Sequence, residues 1–378
     1  MALKLVKRLL VPIMPKKRNV SSYTLRFFLP TVLFAFVLSA CQSRDSSKYI
    51  FDNYLYRLSN SLQVDRESLP QLNNTASSLS PLPLYPARRE LKKYIPSINI
   101  NLLEFLRLSE CELQRHIGQR NGGLGRVMGE TQQLIYDAKF IALAEQCLSQ
   151  LEPASTLFST LTRAYDHKRQ YLPSSIWNAS FASKEFAYLF SLGASPLSLP
   201  AVTEQPLQLT NALKNIRQKY QQLISGNFTE DALGDIESHY QIIESSKRMG
   251  ELRLSLQATT HMLQQADKIL SVRINESPLC RQQQANAKFT IVNNVFYKYY
   301  IGQVQPYISG LHKQSVIVFS AIDELVKMQE PSRTQALTGF WAAVYRDKDS
   351  EWQLFNRQVK AHTLNWQALL KQCGKLPP

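Results

Sequence analysis

The chain contains 378 residues, 44% of them apolar, which is long enough for two or three domains and apolar enough for a large core. Its formal net charge is +15, but the first forty residues carry seven Lys and Arg and no acidic residue. Subtracting those seven charges leaves +8 for the remaining 338 residues, a mild basicity that argues against a groove for a polyanion. We therefore expect no nucleic-acid partner.

Residues 1–40 have the organisation of a secretory signal peptide. Basic residues come first, the apolar run FFLPTVLFAFVL follows at 27–38, and small residues precede Cys41. A run of twelve residues that includes Pro30 is too short for a comfortable membrane span, which needs about twenty. The sequence thus predicts an exported protein, and Met14 is an alternative start that would give a signal of conventional length.

The stretch Leu38-Ser39-Ala40-Cys41 resembles a bacterial lipobox, in which the cysteine receives a diacylglyceryl thioether and becomes the first residue after cleavage. Gln42 stands where many inner-membrane lipoproteins have aspartate, which favours the periplasmic face of the outer membrane. Acyl chains add about 0.8 kcal/mol per buried methylene, so several chains anchor a protein stably. We expect lipidation at Cys41 and membrane lipid as a partner. An uncleaved anchor helix, or a plain signal cut near Ala40, is the alternative.

Residues 41–100 are expected to form the lipid anchor, a short helix and a proline-rich arm. The segment SSKYIFDNYLYRLSNSL at 46–62 has apolar residues at helical spacing. Prolines recur from residue 66 to residue 96, and because proline lacks a backbone donor and disfavours helix before it, an extended arm is predicted there. The arm carries the basic residues Arg88, Arg89, Lys92 and Lys93. A solvated basic face and contact with anionic headgroups both remain open for them.

Nearly every segment after Ile98 has helical periodicity. The predicted helices are NLLEFLRLSECELQRHI at 101–117, ETQQLIYDAKFIALAEQCLSQL at 130–151, one opened by Pro153, one at 174–191, a long one at 229–273 with a phase break near Gly250, and a last one at 352–373 ended by Gly374. No stretch alternates with a period of two residues. We predict an all-α fold with one large helical bundle-like domain over 101–378 and an extended Pro-rich N-terminal arm.

The stretch QRNGGLGRVMGETQ at 119–132, together with Gly118, holds five of the chain's thirteen glycines. A phosphate-binding loop needs a preceding strand and a terminal G-K-[ST], whereas here a helix precedes and Arg126-Val127 follow Gly125. We interpret the stretch as a turn between two helices in which glycine supplies positive backbone angles. An anion-binding loop flanked by Arg120 and Arg126 is the alternative.

Signatures of catalysis and of metal binding are absent from the sequence. No two of the six histidines lie three or four residues apart, and no G-x-S-x-G, S-x-x-K or H-E-x-x-H occurs. We predict no catalytic residue, no metal and no cofactor. His362 is expected to be a hydrogen-bonded core histidine, Asp231 and Asp235 to complement a helix dipole, and the aromatic residues at 289–300 to form a buried face.

Besides Cys41 the chain has four cysteines, Cys111, Cys147, Cys280 and Cys373, an even number that fits an oxidising compartment. Four cysteines allow three pairings, and we favour pairing of neighbours. A bond from Cys280 to Cys373 closes about ninety residues and contributes on the order of 4 kcal/mol in the chain-entropy model. A bond from Cys111 to Cys147 must bridge an offset of roughly 12 Å between antiparallel helices, so it requires a steep crossing or a break near Glu130.

Several pieces together resemble a family of uncharacterised proteobacterial lipoproteins, described as a domain of unknown function. These pieces are the lipobox, Arg88-Arg89-Glu90-Leu91, LLEFLRLSEC, QRNGGLGRVM, NVFYKYYIGQVQPYI and the terminal Gln372-Cys373-Gly374. The resemblance implies no activity and carries over no functional residue beyond Cys41. We expect a non-enzymatic envelope module that binds a partner protein, cell-wall material or headgroups. The alternative is a periplasmic hydrolase or transferase with an active site of another kind.

Overall fold

The computed structural model describes residues 46–65, 81–122, 127–229, 232 and 234–375. Within these ranges every regular element is helical and no strand occurs, so the all-α prediction is confirmed. Cys41, Arg126 and Asp231 lie outside the described residues, as do the expected signal peptide and anchor.

Fifteen α-helices follow one another in the described part of the chain. They are α1 (Ser47–Leu62), α2 (Arg88–Leu91), α3 (Leu102–Arg107), α4 (Glu112–Asn121), α5 (Glu130–Leu148), α6 (Thr156–Ala179), α7 (Lys184–Leu189), α8 (Leu199–Thr203), α9 (Leu207–Ile224), α10 (Ile236–Ser245), α11 (Arg248–Ser271), α12 (Ala287–Val295), α13 (Gln305–Met328), α14 (Gln335–Trp341) and α15 (Glu351–Gln372). Wider π-helical turns extend α11, α12 and α14. None of the helices in the described ranges combines the length and the apolar character that a membrane crossing requires.

Serine side chains cap the N-termini of three of the longer helices. The hydroxyl of Ser46 accepts the backbone N–H of Tyr49 at the start of α1. Ser155 and Ser350 do the same at the starts of α6 and α15. Each such cap satisfies a backbone donor that the first turn leaves free, which contributes about 1 kcal/mol.

The end of α15 requires glycine. Gly374 has a φ of +69°, the left-handed conformation that side chains disfavour. A β-carbon there would lie 2.4 Å from the carbonyl oxygen of Gln283, so the helix end also approaches another backbone segment closely. The expectation that Gly374 terminates the last helix is confirmed.

The core consists of a main cluster and a smaller one. The main cluster contains Trp177, Trp341 and Trp366, each at most 1% exposed, and α1 packs into it through fully buried side chains such as Tyr54. The smaller cluster lies between α4, α5 and α6 and includes Phe140. Burial at both clusters holds these helices, whose propensity alone would leave them marginal.

Helix α6 differs from the expectation at both of its ends. The helix expected to open at Pro153 begins at Thr156, and it runs through Pro173 to Ala179, so the helix expected at 174–191 is wrong. Burial of neighbouring side chains such as Trp177 offsets the roughly 3 kcal/mol that an internal proline costs.

The single helix expected at 101–117 is two helices, α3 and α4. They are separated at Leu108–Cys111, where Leu108 is buried and Cys111 adopts an extended conformation at the start of α4. The long helix expected at 229–273 is likewise wrong, because α10 ends at Ser245 and α11 begins at Arg248. Gly250 lies within α11, where a β-carbon would meet the carbonyl oxygen of Ser191 at 2.2 Å. Its glycine therefore serves close packing rather than a phase break.

Candidate ligand-binding cleft

Hydrogen bonds to backbone atoms hold the proline-rich arm against α6. The indole Nε1 of Trp177 donates to the carbonyl oxygen of Leu91 at 2.6 Å. The side-chain amide of Asn178 accepts the backbone N–H of Lys93 at 2.8 Å and donates to the carbonyl oxygen of the same residue at 2.9 Å. Because an irregular segment cannot satisfy its own backbone groups, these side chains fix its position on the body.

A cleft of about 1180 Å³ lies between this arm and helices α3 to α6. Several of its lining residues also belong to the smaller core cluster or pack against it, among them Ile98, Ile117, Met128 and Phe140. The volume lies slightly above the roughly 300–1,000 Å³ typical of ligand pockets. The cleft is therefore large enough for a small organic molecule.

Five basic and two acidic side chains line the cleft. The arm supplies Arg89, Lys92 and Lys93, α4 supplies Arg120, α6 supplies Lys168, and α5 supplies Glu130 and Asp137. The basic residues of the arm and the arginine beside the glycine-rich turn, which the sequence suggested as separate anion contacts, thus surround one space. Arg126 lies outside the described residues.

Glu130 joins the arm to the start of α5. Its carboxylate accepts hydrogen bonds from Arg88 at 2.5 Å and from Lys92 at 3.1 Å. Burial raises the pKa of the Glu130 carboxyl, but the hydrogen bond from Lys92 and the charges of Arg88 and Lys92 outweigh it, so the pKa lies below its ordinary value. The carboxylate is therefore ionised, and two of the four arm cations are engaged in holding the arm.

Asp137 is the centre of a buried polar cluster at the floor of the cleft. It is 3% exposed, and its carboxylate accepts hydrogen bonds from Lys168 at 2.6 Å, Ser175 at 2.9 Å and Gln133 at 2.7 Å. The lysine neutralises its charge, and the two neutral donors satisfy its remaining lone pairs. The cluster therefore ties α5 to α6 below the cleft.

Tyr136 presents an aromatic ring beside these charges. The imidazole of His116 stacks on it with ring centroids 4.3 Å apart, and the cations of Arg120 and Lys168 lie 5.9 and 5.7 Å from its centroid. Burial and the nearby Asp137 raise the pKa of Tyr136 to about 12, while Arg120 opposes the shift. Burial also lowers the pKa of His116. Both rings are therefore neutral near pH 7.

Three cations of the cleft remain without a carboxylate. Among the residues that the structure describes, Arg89, Lys93 and Arg120 form no ion pair, whereas Glu130 and Asp137 are both already paired. The cleft thus carries a positive excess. Sequence reasoning identified these three cations, but it missed Glu130, Asp137 and Lys168. The sequence signal that could have pointed to this site was the carboxylate of Asp137, directly beside the apolar stripe of α5.

Two pairs of cysteines lie at disulfide-bonding distance. The Cα atoms of Cys111 and Cys147 are 5.6 Å apart, and those of Cys280 and Cys373 are 5.0 Å apart. His116 of α4 stacks on Tyr136 of α5, so α4 packs beside α5 at a point beyond the first turn of that helix. Helix α5 is continuous from Glu130 to Leu148, so the break suggested near Glu130 does not occur within it, and Cys111 lies in extended backbone directly before α4.

The glycine-rich stretch connects α4 to α5, as expected for a turn between helices. Gly122 ends α4 and Gly129 precedes α5, with φ values of −70° and −69°. Neither of these two glycines adopts the positive angle that the sequence suggested, and residues 123–126 are not described. Gly122 and Gly129 therefore mark the helix ends without requiring left-handed backbone.

The remaining candidate residues do not line the cleft. His362 is fully buried and contacts Asp267 at 2.6 Å and the hydroxyl of Tyr54 at 2.9 Å, which confirms a hydrogen-bonded core histidine. Asp235 precedes α10 and pairs with Lys219 at 2.8 Å. No group of three His, Cys, Asp or Glu in the described ranges is arranged to hold a metal ion.

The aromatic stretch at 289–300 is buried in part. Phe289, Phe296 and Tyr300 are each at most 6% exposed, whereas Tyr297 is 47% exposed. The buried members pack in the main cluster, and Tyr300 contacts the ring of His362 with centroids 4.9 Å apart. The expected core face is confirmed for these three residues.

Comparison with known proteins gives one informative result. No curated protein and no solved structure gives a significant match to the chain. A family profile described as "Protein of unknown function (DUF3080)" matches residues 51–377, from α1 through α15. The chain belongs to the DUF3080 family.

Proposed function

We propose that the protein is a lipid-anchored envelope protein whose helical body binds an anionic ligand in the cleft beneath the arm. The observation that carries this proposal is the positive excess of Arg89, Lys93 and Arg120 around a space whose two carboxylates are already paired. Unpaired cations that share a cleft repel one another, and a bound anion relieves that repulsion. Guanidinium groups also recognise phosphate and carboxylate through paired hydrogen bonds.

The sequence supports a lipid-anchored location at the outer membrane. Cys41 follows an apolar run after a basic zone, and only residues 42–46 separate it from α1. Because α1 packs into the main core, a lipid on Cys41 would hold the body close to the outer-membrane surface. A ligand drawn from the periplasm or from the membrane itself would be within reach there.

The polar cluster at the floor of the cleft supports binding rather than hydrolysis. Ser175 is 4% exposed and its hydroxyl donates a hydrogen bond to Asp137, which also accepts one from Lys168. A nucleophilic serine needs a free base and access to substrate. Here the carboxylate is occupied by three donors, so the cluster positions α5 and α6 beneath the bound anion.

Titration calorimetry of the mature protein with inorganic phosphate tests this function. We expect binding that weakens as the salt concentration rises from low to physiological, because the attraction is between charges at an open cleft. Absence of phosphate binding, or binding that salt does not change, would contradict an electrostatic site.

A further inference from the structure

We infer that the anion bound in the cleft is the head of an amphiphile, a molecule with a phosphate or carboxylate group joined to a hydrocarbon chain. This inference rests on the proposed anion site and adds the chemical class of its ligand. The apolar part of the cleft lining supports it. Ile98, Ile117, Met128 and Phe140 offer an apolar wall in the same space as the three unpaired cations.

Helix α3 at the cleft exposes its three leucines to solvent, while Glu104 and Phe105 are half-buried against the body. Its polar side chains bind the body, since Glu104 accepts a hydrogen bond from Thr160 at 2.7 Å and Arg107 donates to Thr156 at 3.4 Å. No residue of α3 is buried. A helix with three leucines ordinarily turns them inward, so their exposure indicates a role at the surface.

Leu102 connects this exposed surface to the cleft. It is 69% exposed and is also a lining residue, as is Tyr94, which is 83% exposed. Exposed apolar side chains at the edge of an apolar-lined cleft can cover the methylene groups of a bound chain. Each methylene removed from water contributes about 0.8 kcal/mol. A chain would thus add affinity that a bare anion lacks.

The cations suit the head of such a molecule. The backbone of Lys93 is fixed to Asn178, which sets the point from which its side chain extends, and the Arg120 cation lies 5.9 Å from the centroid of the Tyr136 ring before a ligand arrives. A cation already held against a ring, as Arg120 is, loses less conformational freedom on binding than a free surface lysine does. The same chemistry is found in an anionic lipid of the bilayer and in a free alkyl phosphate, and the experiment must separate these two sources.

Calorimetry with the mature protein and three probes tests the ligand class. The probes are dodecyl phosphate below its micellar concentration, glycerol phosphate as the head alone, and dodecyl maltoside as an uncharged chain. We expect dodecyl phosphate to bind about tenfold or more tightly than either of the others. Equal affinity for dodecyl phosphate and glycerol phosphate would overturn the amphiphile while leaving the anion site intact. If dodecyl maltoside binds as tightly as dodecyl phosphate, or if neither phosphate binds, both proposals are overturned.

Two adjacent leucines provide a matched pair of variants. Leu102 and Leu103 are both 69% exposed, but only Leu102 lines the cleft, so neither substitution threatens the fold. Leu102→Ser is expected to weaken dodecyl phosphate binding about fivefold and to leave glycerol phosphate binding unchanged. Leu103→Ser is expected to change neither affinity. Equal effects of both variants on dodecyl phosphate would contradict a chain seated in the cleft.

Vesicles separate the two sources of the ligand. Phosphatidylcholine vesicles with and without phosphatidylglycerol are mixed with protein that carries Cys41→Ala, so that no acyl anchor contributes. Binding that needs phosphatidylglycerol and is reduced by Leu102→Ser but not by Leu103→Ser supports uptake of a bilayer lipid. Failure to bind vesicles, with dodecyl phosphate still bound, supports a free amphiphile. Equal loss in both variants indicates that the whole face of α3 docks on the bilayer, and it overturns the inference.

Discussion

The ammonium group of Lys168 lies 2.6 Å from the carboxylate of Asp137, and the pair joins α6 to α5 where neither side chain is more than 17% exposed. Removing one member of a buried pair leaves an uncompensated charge. We expect Lys168→Met to lower the free energy of unfolding by about 3 kcal/mol in urea denaturation. The exposed pair of Lys48 and Asp52 is the control, and Lys48→Met should cost less than about 1 kcal/mol. Similar losses in both variants would show that the buried pair has no special role.

The attachment of the arm by Glu130 should depend on pH. Because the folded-state pKa of Glu130 lies below its unfolded value, its contribution to stability is present above the unfolded pKa, about 4.3, and is lost as pH falls through the folded pKa. We expect Glu130→Gln to lower stability by about 1 kcal/mol at pH 7 and to have a smaller effect near pH 3. Thermal unfolding of both proteins at the two pH values measures this difference.

The comparison for that variant is Glu330→Gln, which removes an exposed carboxylate that pairs with Arg333. It should change stability less than Glu130→Gln at pH 7. A loss in Glu130→Gln that persists undiminished at pH 3 would mean that the carboxylate charge does not hold the arm.

The two cysteine pairs should be found in protein from an oxidising compartment. The bond between Cys280 and Cys373 closes a separation of 93 residues, and replacing both by serine should cost on the order of 4 kcal/mol. Mass spectrometry of non-reduced peptides should recover this link and the link between Cys111 and Cys147. A peptide that joins Cys111 to Cys280 would contradict the assignment.

Lipidation at Cys41 predicts both a label and a location. Cells grown with a palmitate analogue should label the protein, and Cys41→Ala should abolish the label and release the body from membranes, because acyl chains supply the anchoring energy. Phosphate binding by the released protein should be unchanged. Labelling that persists in the variant would refute the lipid anchor.

Strong local signals made part of the fold predictable. The period of apolar residues from Trp352 to Cys373 and the glycine after it predict α15 almost to the residue. The boundaries that failed depend on tertiary contacts, since the break before α4 accompanies a bond to a cysteine 36 positions away. Likewise, α6 continues past Pro173 because its neighbours are buried in the main core.

The sequence identified the cations around the cleft, apart from Lys168, but not their carboxylate partners. Arg88, Arg89, Lys92 and Lys93 stand out as a basic cluster in a proline-rich arm, and Arg120 stands out beside the glycines. Lys168 and Asp137 are 31 positions apart on different helices, and no local pattern links them. A side chain that is paired in the interior therefore looks the same in sequence as one that faces solvent.

The central claim is that Arg89, Lys93 and Arg120 together bind an anion. Its most direct test is calorimetric titration of inorganic phosphate into the mature protein and into two triple variants. One replaces these three residues by Gln. The other replaces Lys247, Lys313 and Lys360, which are exposed, do not line the cleft and form no ion pair among the described residues.

Both variants lose three positive charges, so they differ only in where the charges were. The cleft variant is expected to bind phosphate about tenfold or more weakly, since charge-assisted hydrogen bonds are lost, whereas the control should match the wild type. Equal affinity in all three proteins, or equal weakening in both variants, would contradict the account.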